Sequence, residues 1–313
     1  MKVAICGLWH VHAWGYYERA AALGEVVGVW EENDRLRNEF CNKFGVKAFS
    51  TLDELLCSDA EGAIVCTATN IHEDVMVRLA DAGKHIFTEK VLALTDQGAE
   101  KIEQAVKRNG VKFVISLPWK YNANQIAVYD IAKNELGKIN FMRFRNCHSG
   151  TVDNWLPPHF YSARECGGGA MIDLGAHGMY LTDWICGQPI SAASVFTKSS
   201  DSAPSNVDCV EDNAVTVMHF ADGCIAVNET GFVSRGYPAI MEVGGEQGFV
   251  RADQDGVVKC TAATQYKPQQ VEVGSGLPEP IEQFLTGNIL PGCGMQEARN
   301  LTRMMILAYG NQV

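Results

Sequence analysis

The first 115 residues alternate short apolar runs with stretches of helical periodicity, and this alternation constrains the fold more than anything else in the chain. An apolar run bounded by turn residues reads as a buried strand. When each run is followed by an amphipathic segment, a parallel sheet wrapped by helices buries both. The expected strands are Val3–Cys6, Val26–Trp30, Val46–Phe49, Ala63–Cys66, His85–Phe87 and Val111–Ile115. Between them, helices are expected up to Leu23, through Phe44, around Leu52 to Leu56, over Ile71–Ala82 and over Thr95–Arg108. The fold class is therefore α/β with a doubly wound parallel sheet, and ligands of such sheets lie across the carboxyl ends of the strands.

The residues that follow each strand are accordingly the informative ones. After the first come Gly7, Leu8, Trp9, His10, Val11 and His12. A dinucleotide fingerprint would place glycine at 7, 9 and 12, and only Gly7 is present. Glu31 follows the second strand, 24 residues past Gly7, where an acid hydrogen-bonds the adenosine ribose and repels an added phosphate. That reading selects NAD over NADP, although a surface acid after a strand needs no such role. Thr67, Ala68, Thr69, Asn70 and His72 follow the fourth strand, and Glu89 and Lys90 the fifth. Thr69 or Asn70 would equally serve as a helix cap, and Lys90 alone as a solvated lysine. Together these polar groups collect at one edge of one sheet.

A second centre is Gly167-Gly168-Gly169-Ala170-Met171-Ile172-Asp173-Leu174-Gly175-Ala176-His177. Consecutive glycines let a backbone approach a ligand closely and start a helix. Beyond them, Leu174, Gly178, Leu181 and Ile185 recur as one apolar stripe, with Asp173, His177, Tyr180 and Trp184 on the neighbouring face. The helix dipole favours an Asp173 carboxylate, and His177 one turn on has the character of a poised base. Dipole complementarity alone also accounts for an aspartate there. Trp155 and His159 flank Pro157-Pro158 and suit either a pocket wall or a buried loop anchor.

In the second half, a helix over Asn122–Leu136 is expected before strands at Lys138–Cys147, Ile190–Lys198, Ala214–Phe220, Cys224–Phe232, Ala239–Val243 and Phe249–Arg251. Amphipathic helices at Ile281–Leu285 and Met295–Tyr309 close the chain. At 313 residues the chain exceeds a usual single core, so two domains are expected, 1–118 and 119–313. The net charge of −11 disfavours nucleic acid or an anionic membrane as partner. Nothing approaches the roughly 18 apolar residues of a membrane span. Eleven cysteines occur without a CxxC pair. They read as reduced thiols of a cytoplasmic protein, with no metal site expected.

In order and spacing, Thr67 to His72, Gly83 to Lys90, Gly167 to His177 and Gly244 to Gly248 resemble the Gfo/Idh/MocA family of nicotinamide-dependent oxidoreductases. The resemblance implies a Rossmann domain that binds NAD through Gly7, Leu8, Trp9, His10, Val11, His12, Glu31, Thr67, Ala68, Thr69, Asn70, His72, Glu89 and Lys90. It also implies a second α/β domain whose large, open, mostly antiparallel sheet binds substrate and forms homodimers or homotetramers. By the same resemblance Lys90, Asp173 and His177 are catalytic: His177 exchanges a proton with the substrate hydroxyl, Lys90 hydrogen-bonds the same oxygen, and Asp173 orients the group. Substrate contacts extend to Lys120, Trp155 and His159. The implied reaction is hydride transfer between the nicotinamide and a secondary alcohol or ketone of a sugar or polyol. A lyase, glycosidase or epimerase that oxidises transiently with retained NAD is the alternative, and a non-catalytic nucleotide-binding protein a further one. The chain departs from the family pattern at Trp9 and His12, at Val91 in place of proline, and at Tyr180 where aspartate is usual.

Overall fold

The computed structural model describes residues 1–200, 210–310 and 312. They form two compact units, Met1–Ser116 with Pro278–Thr302, and Leu117–Leu277 with Arg303–Val313.

In the first unit β1 (Lys2–Cys6), β2 (Glu25–Trp30), β3 (Ala48–Phe49), β4 (Gly62–Val65), β5 (His85–Thr88) and β6 (Phe113–Ile115) form one sheet. Its order is β3-β2-β1-β4-β5-β6, and every pairing is parallel. The strand order reverses between β1 and β4, which opens a crevice at their carboxyl ends. The strand runs are apolar because both faces are covered: Val3, Ile5, Ile64, Val65, Ile86 and Phe87 are fully buried. Side-chain caps start the helices, as where the Thr95 hydroxyl accepts the Gly98 N–H.

The segment Pro278–Thr302 corrects the expected division at residue 118. Phe284 packs on Phe87, the Ile115 N–H donates to the Cys293 carbonyl, and Arg299 pairs with Asp96 and Glu103. Amphipathic periodicity announces these helices without saying whose core receives them.

The second unit is built on β7 (Ile139–Cys147), β8 (Ser191–Thr197), β9 (Asn213–His219), β10 (Ile225–Gly231), β11 (Ile240–Gly245), β12 (Gly248–Asp253), β13 (Gly256–Thr261) and β14 (Gln269–Val271). The order is β14-β13-β12-β11-β7-β10-β9-β8. Among these described strands only β7 and β10 pair in parallel; the other six pairings are antiparallel. Periodicity does not announce β13 and β14, whose adjacent Val257 and Val258 and polar Gln269-Gln270 do not alternate as a half-buried strand should. One face of the sheet lies under the helix Gly175–Cys186. There a Cβ on Gly178 would lie 2.2 Å from Asn228 Oδ1 on β10. The other face exposes Phe141, Val195, Val215, Val217, Ile225 and Phe249. Among the described residues no helix is long and apolar enough to cross a membrane.

Candidate functional site

In the first unit the loop after β1 turns sharply at Gly7, whose φ is +90°. A Cβ there would lie 2.5 to 2.8 Å from side-chain and backbone atoms of Thr67, so only glycine fits. Leu8 is buried and Trp9 partly so, whereas Val11 and His12 are exposed. The Leu8 N–H donates to Glu31 Oε2 at 2.6 Å, and the Asn33 N–H to Oε1 at 2.9 Å. The sequence-predicted acid is thereby held against the loop it was expected to serve. After β4, Thr67, Ala68 and Thr69 are buried and Asn70 is exposed. The Thr67 Oγ1 is buried with no hydrogen-bond partner among the described residues.

His72 has a different position from that expected of a cofactor contact. It is 1% exposed. Its Nδ1 faces the Val91 and Leu92 carbonyls and its Nε2 the Thr67 carbonyl. The ring thus ties the loop after β4 to the segment after β5. Burial pushes its pKa below the ordinary histidine value against the pull of those carbonyls.

Glu89 and Lys90, at the end of β5, are buried. The Glu89 carboxylate accepts from the Tyr16 hydroxyl, from the Lys90 N–H and, at 2.8 Å, from His12 Nδ1. His10 Nε2 stands 4.0 Å from its other oxygen, and Ser116 Oγ is 2.8 Å from the Tyr16 hydroxyl. Burial opposes ionisation of Glu89, but His10, His12 and Lys90 together hold its carboxyl well below the usual carboxylate range. The Lys90–Val91 peptide bond is cis, with valine where the resemblance calls for proline.

In the second unit the glycine run serves packing within the protein, which corrects the expectation that it clears space for a ligand. A Cβ on Gly168 would sit 2.0 Å from the Tyr309 hydroxyl, and one on Gly169 would sit 2.0 Å from the Glu211 carbonyl oxygen. The buried Glu211 carboxylate accepts the N–H groups of Gly169 and Met171 and the Tyr309 hydroxyl. Tyr309 in turn accepts the Ile172 N–H. Burial raises the Glu211 pKa and these donors pull it back. Neither residue carried a sequence signal, because each lies far along the chain from its partner.

The expected single helix is two pieces, Ala170–Asp173 and Gly175–Cys186. Asp173 is partly exposed and His177 is 8% exposed. His177 Nδ1 lies 2.9 Å from the Tyr180 hydroxyl. The Trp119 N–H donates to that same oxygen at 3.2 Å, and the Trp119 ring centroid lies 5.7 Å from that of His177. Lys120 is 6% exposed, its Nζ 5.6 Å from the Trp184 ring centre. Trp184 stacks on Tyr129. Trp155 is more than half exposed and rests on His148, which stacks on Phe232. His159 is partly exposed beside Phe160. The second unit therefore groups His177, Tyr180 and Trp119, and holds Trp155 in a separate aromatic stack.

A Rossmann-type unit with an acid at the end of its second strand, followed by a unit built on a large open sheet, defines a class of two-domain nucleotide-dependent oxidoreductases. The chain belongs to the Gfo/Idh/MocA family. Residues 1–117 match the profile of the oxidoreductase family NAD-binding Rossmann fold, and residues 130–251 match that of the GFO/IDH/MocA C-terminal domain. Myo-inositol 2-dehydrogenase of Thermotoga maritima is 27% identical over 226 residues, 70% of this chain and 65% of that enzyme. The match thus spans just under two thirds of that relative. The scyllo-inositol 2-dehydrogenase (NADP+) of Bacillus subtilis is 26% identical over 80% of this chain and 71% of its own. Aldose-aldose oxidoreductase from Caulobacter crescentus, solved with glycerol, shares the fold at a TM-score of 0.81 and 19% identity, covering 99% of this chain and 97% of its own. GenD2 from gentamicin A biosynthesis, solved with NAD, also gives 0.81, at 23% identity and coverages of 99% and 93%.

Proposed function

We propose that the protein is an NAD(H)-dependent oxidoreductase acting on a secondary alcohol or ketone of a sugar, polyol or sugar derivative. The observation that carries this reading is the Glu31 carboxylate held against the Leu8 N–H beside the Gly7 turn. Each carboxylate oxygen accepts one backbone N–H and keeps capacity for a second donor, which suits the two hydroxyls of an adenosine ribose. Its charge opposes a 2′-phosphate, which favours NAD. The buried Thr67 Oγ1, without a hydrogen-bond partner among the described residues, and the close approach of the Gly7 turn to Thr67 that only glycine permits support a dinucleotide at this loop.

When bound, the nicotinamide supplies hydride acceptance or donation. Lys90, Asp173 and His177 are the proposed catalytic groups. Lys90 hydrogen-bonds the substrate oxygen and favours its developing negative charge. His177 exchanges a proton with that oxygen through Nε2, and Asp173 orients the substrate. The Tyr180 hydroxyl both donates and accepts, so it supports either tautomer of His177. With Nδ1 protonated, Nε2 is a base for oxidation. Once Nε2 has taken the proton the ring is an imidazolium whose Nδ1–H still donates to Tyr180, and its Nε2–H is the acid for reduction. Trp155, His159 and Lys120 are proposed substrate contacts, aromatic rings packing well on the apolar face of a sugar.

The exposed apolar face of the second sheet is proposed to pair two copies into a homodimer or a higher homo-oligomer. Cysteines scattered without a CxxC pair suit the cytoplasmic location proposed. The test is nicotinamide absorbance on incubation with NAD and a panel of inositols and aldoses. Reduction that is abolished in Lys90→Ala and His177→Ala supports the reading; activity that survives both overturns it. Turnover with no net NADH would point instead to transient oxidation.

A further inference from the structure

The loop that carries the eroded glycine fingerprint also carries two histidines. His10 and His12 lie two apart on the loop after β1, and Glu89 closes β5. One ligand atom from each lies within 4.8 Å of the other two. We propose that His10, His12 and Glu89 bind one divalent first-row transition metal ion, zinc being the reference case.

The donor set is two imidazoles and a carboxylate, the combination that holds zinc at three corners and leaves a fourth open to water or another oxygen. Imidazole disfavours magnesium and calcium as occupants. The carboxylate is already oriented by neighbours that are not ligands, the Tyr16 hydroxyl and the Lys90 N–H. Ser116 holds the Tyr16 hydroxyl in turn. This is the outer shell a metal site needs, because a ligand fixed before binding loses little freedom on binding. Glu89 and His10 are buried, 2% and 5% exposed, while the His12 side chain is 51% exposed. His12 therefore opens the site to solvent and gives the ion its route in. On binding, the ion takes the place of the proton between His12 Nδ1 and Glu89 Oε1, which are 2.8 Å apart. Paired cysteines, the usual sequence sign of a metal site, are absent from the sequence. The His-x-His pattern gains its carboxylate only when β1 and β5 enter one sheet.

The experiment uses the full-length, tag-free chain after dialysis against a chelator, without nucleotide or substrate, so that its outcome is independent of the redox reading. Zinc alone is titrated calorimetrically, and cobalt alone is followed by its visible ligand-field bands. One equivalent per chain is expected, with nitrogen-ligated cobalt bands. His12→Ala changes an exposed side chain and should melt like the parent, yet should bind at least about tenfold more weakly, as loss of a ligand must cost no less than loss of an outer-shell partner. Glu89→Gln should do the same. Absence of binding by the parent, or equal binding by parent and His12→Ala, would overturn the proposal.

Discussion

Replacing Tyr309 by phenylalanine removes one oxygen from the brace beneath the glycine run, and the structure sets the cost. The hydroxyl donates to the Glu211 carboxylate at 2.7 Å, a bond to a charged acceptor that contributes about 1.5 to 3 kcal/mol. It also accepts the Ile172 N–H, and a buried donor left without an acceptor costs about 1 to 3 kcal/mol. Gly168 cannot fill the space, having no side chain. Glu211 keeps its bonds from Gly169 and Met171, so the loss should lie near the lower end of the sum, about 3 kcal/mol, or roughly two decades in the folding equilibrium. Urea denaturation measures the total, and hydrogen exchange localises it. The Ile172 amide should lose protection, whereas the Leu174 amide, bonded to the Ala170 carbonyl, should keep it. The pH dependence adds a check. A carboxyl whose pKa is raised on folding stabilises the fold as pH falls, because the folded state then binds the extra proton. Without the Tyr309 donor, Glu211 is raised further, so the deficit should be greatest near neutrality and shrink in acid. A loss under about 1 kcal/mol with the Ile172 amide still protected would refute the brace, that value being the least an unsatisfied buried donor costs.

Other consequences are equally direct. Gly7→Ala places a Cβ at positive φ against the Thr67 backbone and should abolish measurable NAD binding in equilibrium dialysis while leaving the second unit's far-ultraviolet signal intact. Tyr180→Phe removes the hydroxyl on His177 Nδ1 and should lower kcat by about ten- to a hundredfold through lost orientation, with the KM for NAD unchanged; an unaltered kcat–pH profile would exclude Tyr180 from positioning the imidazole. His72 has a lowered pKa when folded, so the unfolded state takes up the proton first. Stability should decline as pH falls from the ordinary histidine value of 6.5 toward the folded one, and His72→Gln should flatten that slope in thermal melts.

The alternating segment of the first unit was legible because strands buried on both faces and amphipathic helices leave unlike periodicities. The same logic found most of the second sheet and failed at β13 and β14, where Val257-Val258 and Gln269-Gln270 obey neither period. Periodicity reports a buried face and is silent on which core buries it, so Pro278–Thr302 was placed with the wrong unit. The place of Glu31 beside the loop after β1 follows from its distance to Gly7 along the chain. The glycines were recognisable as sites of close approach, but the approaching groups, Tyr309 and Glu211, are supplied by tertiary structure alone. His72 looked like one more polar residue at the sheet edge, and its burial under three carbonyls was not written in its neighbours.

The crowding at the glycine run also limits how this chain can drift. Gly168 is confined by the tip of a side chain, so a residue with a Cβ becomes admissible there only once position 309 has shortened. Gly169 is confined by the main-chain carbonyl of Glu211, an atom that every amino acid brings with it. No second substitution can release that position, whereas a shorter residue at 309 releases Gly168.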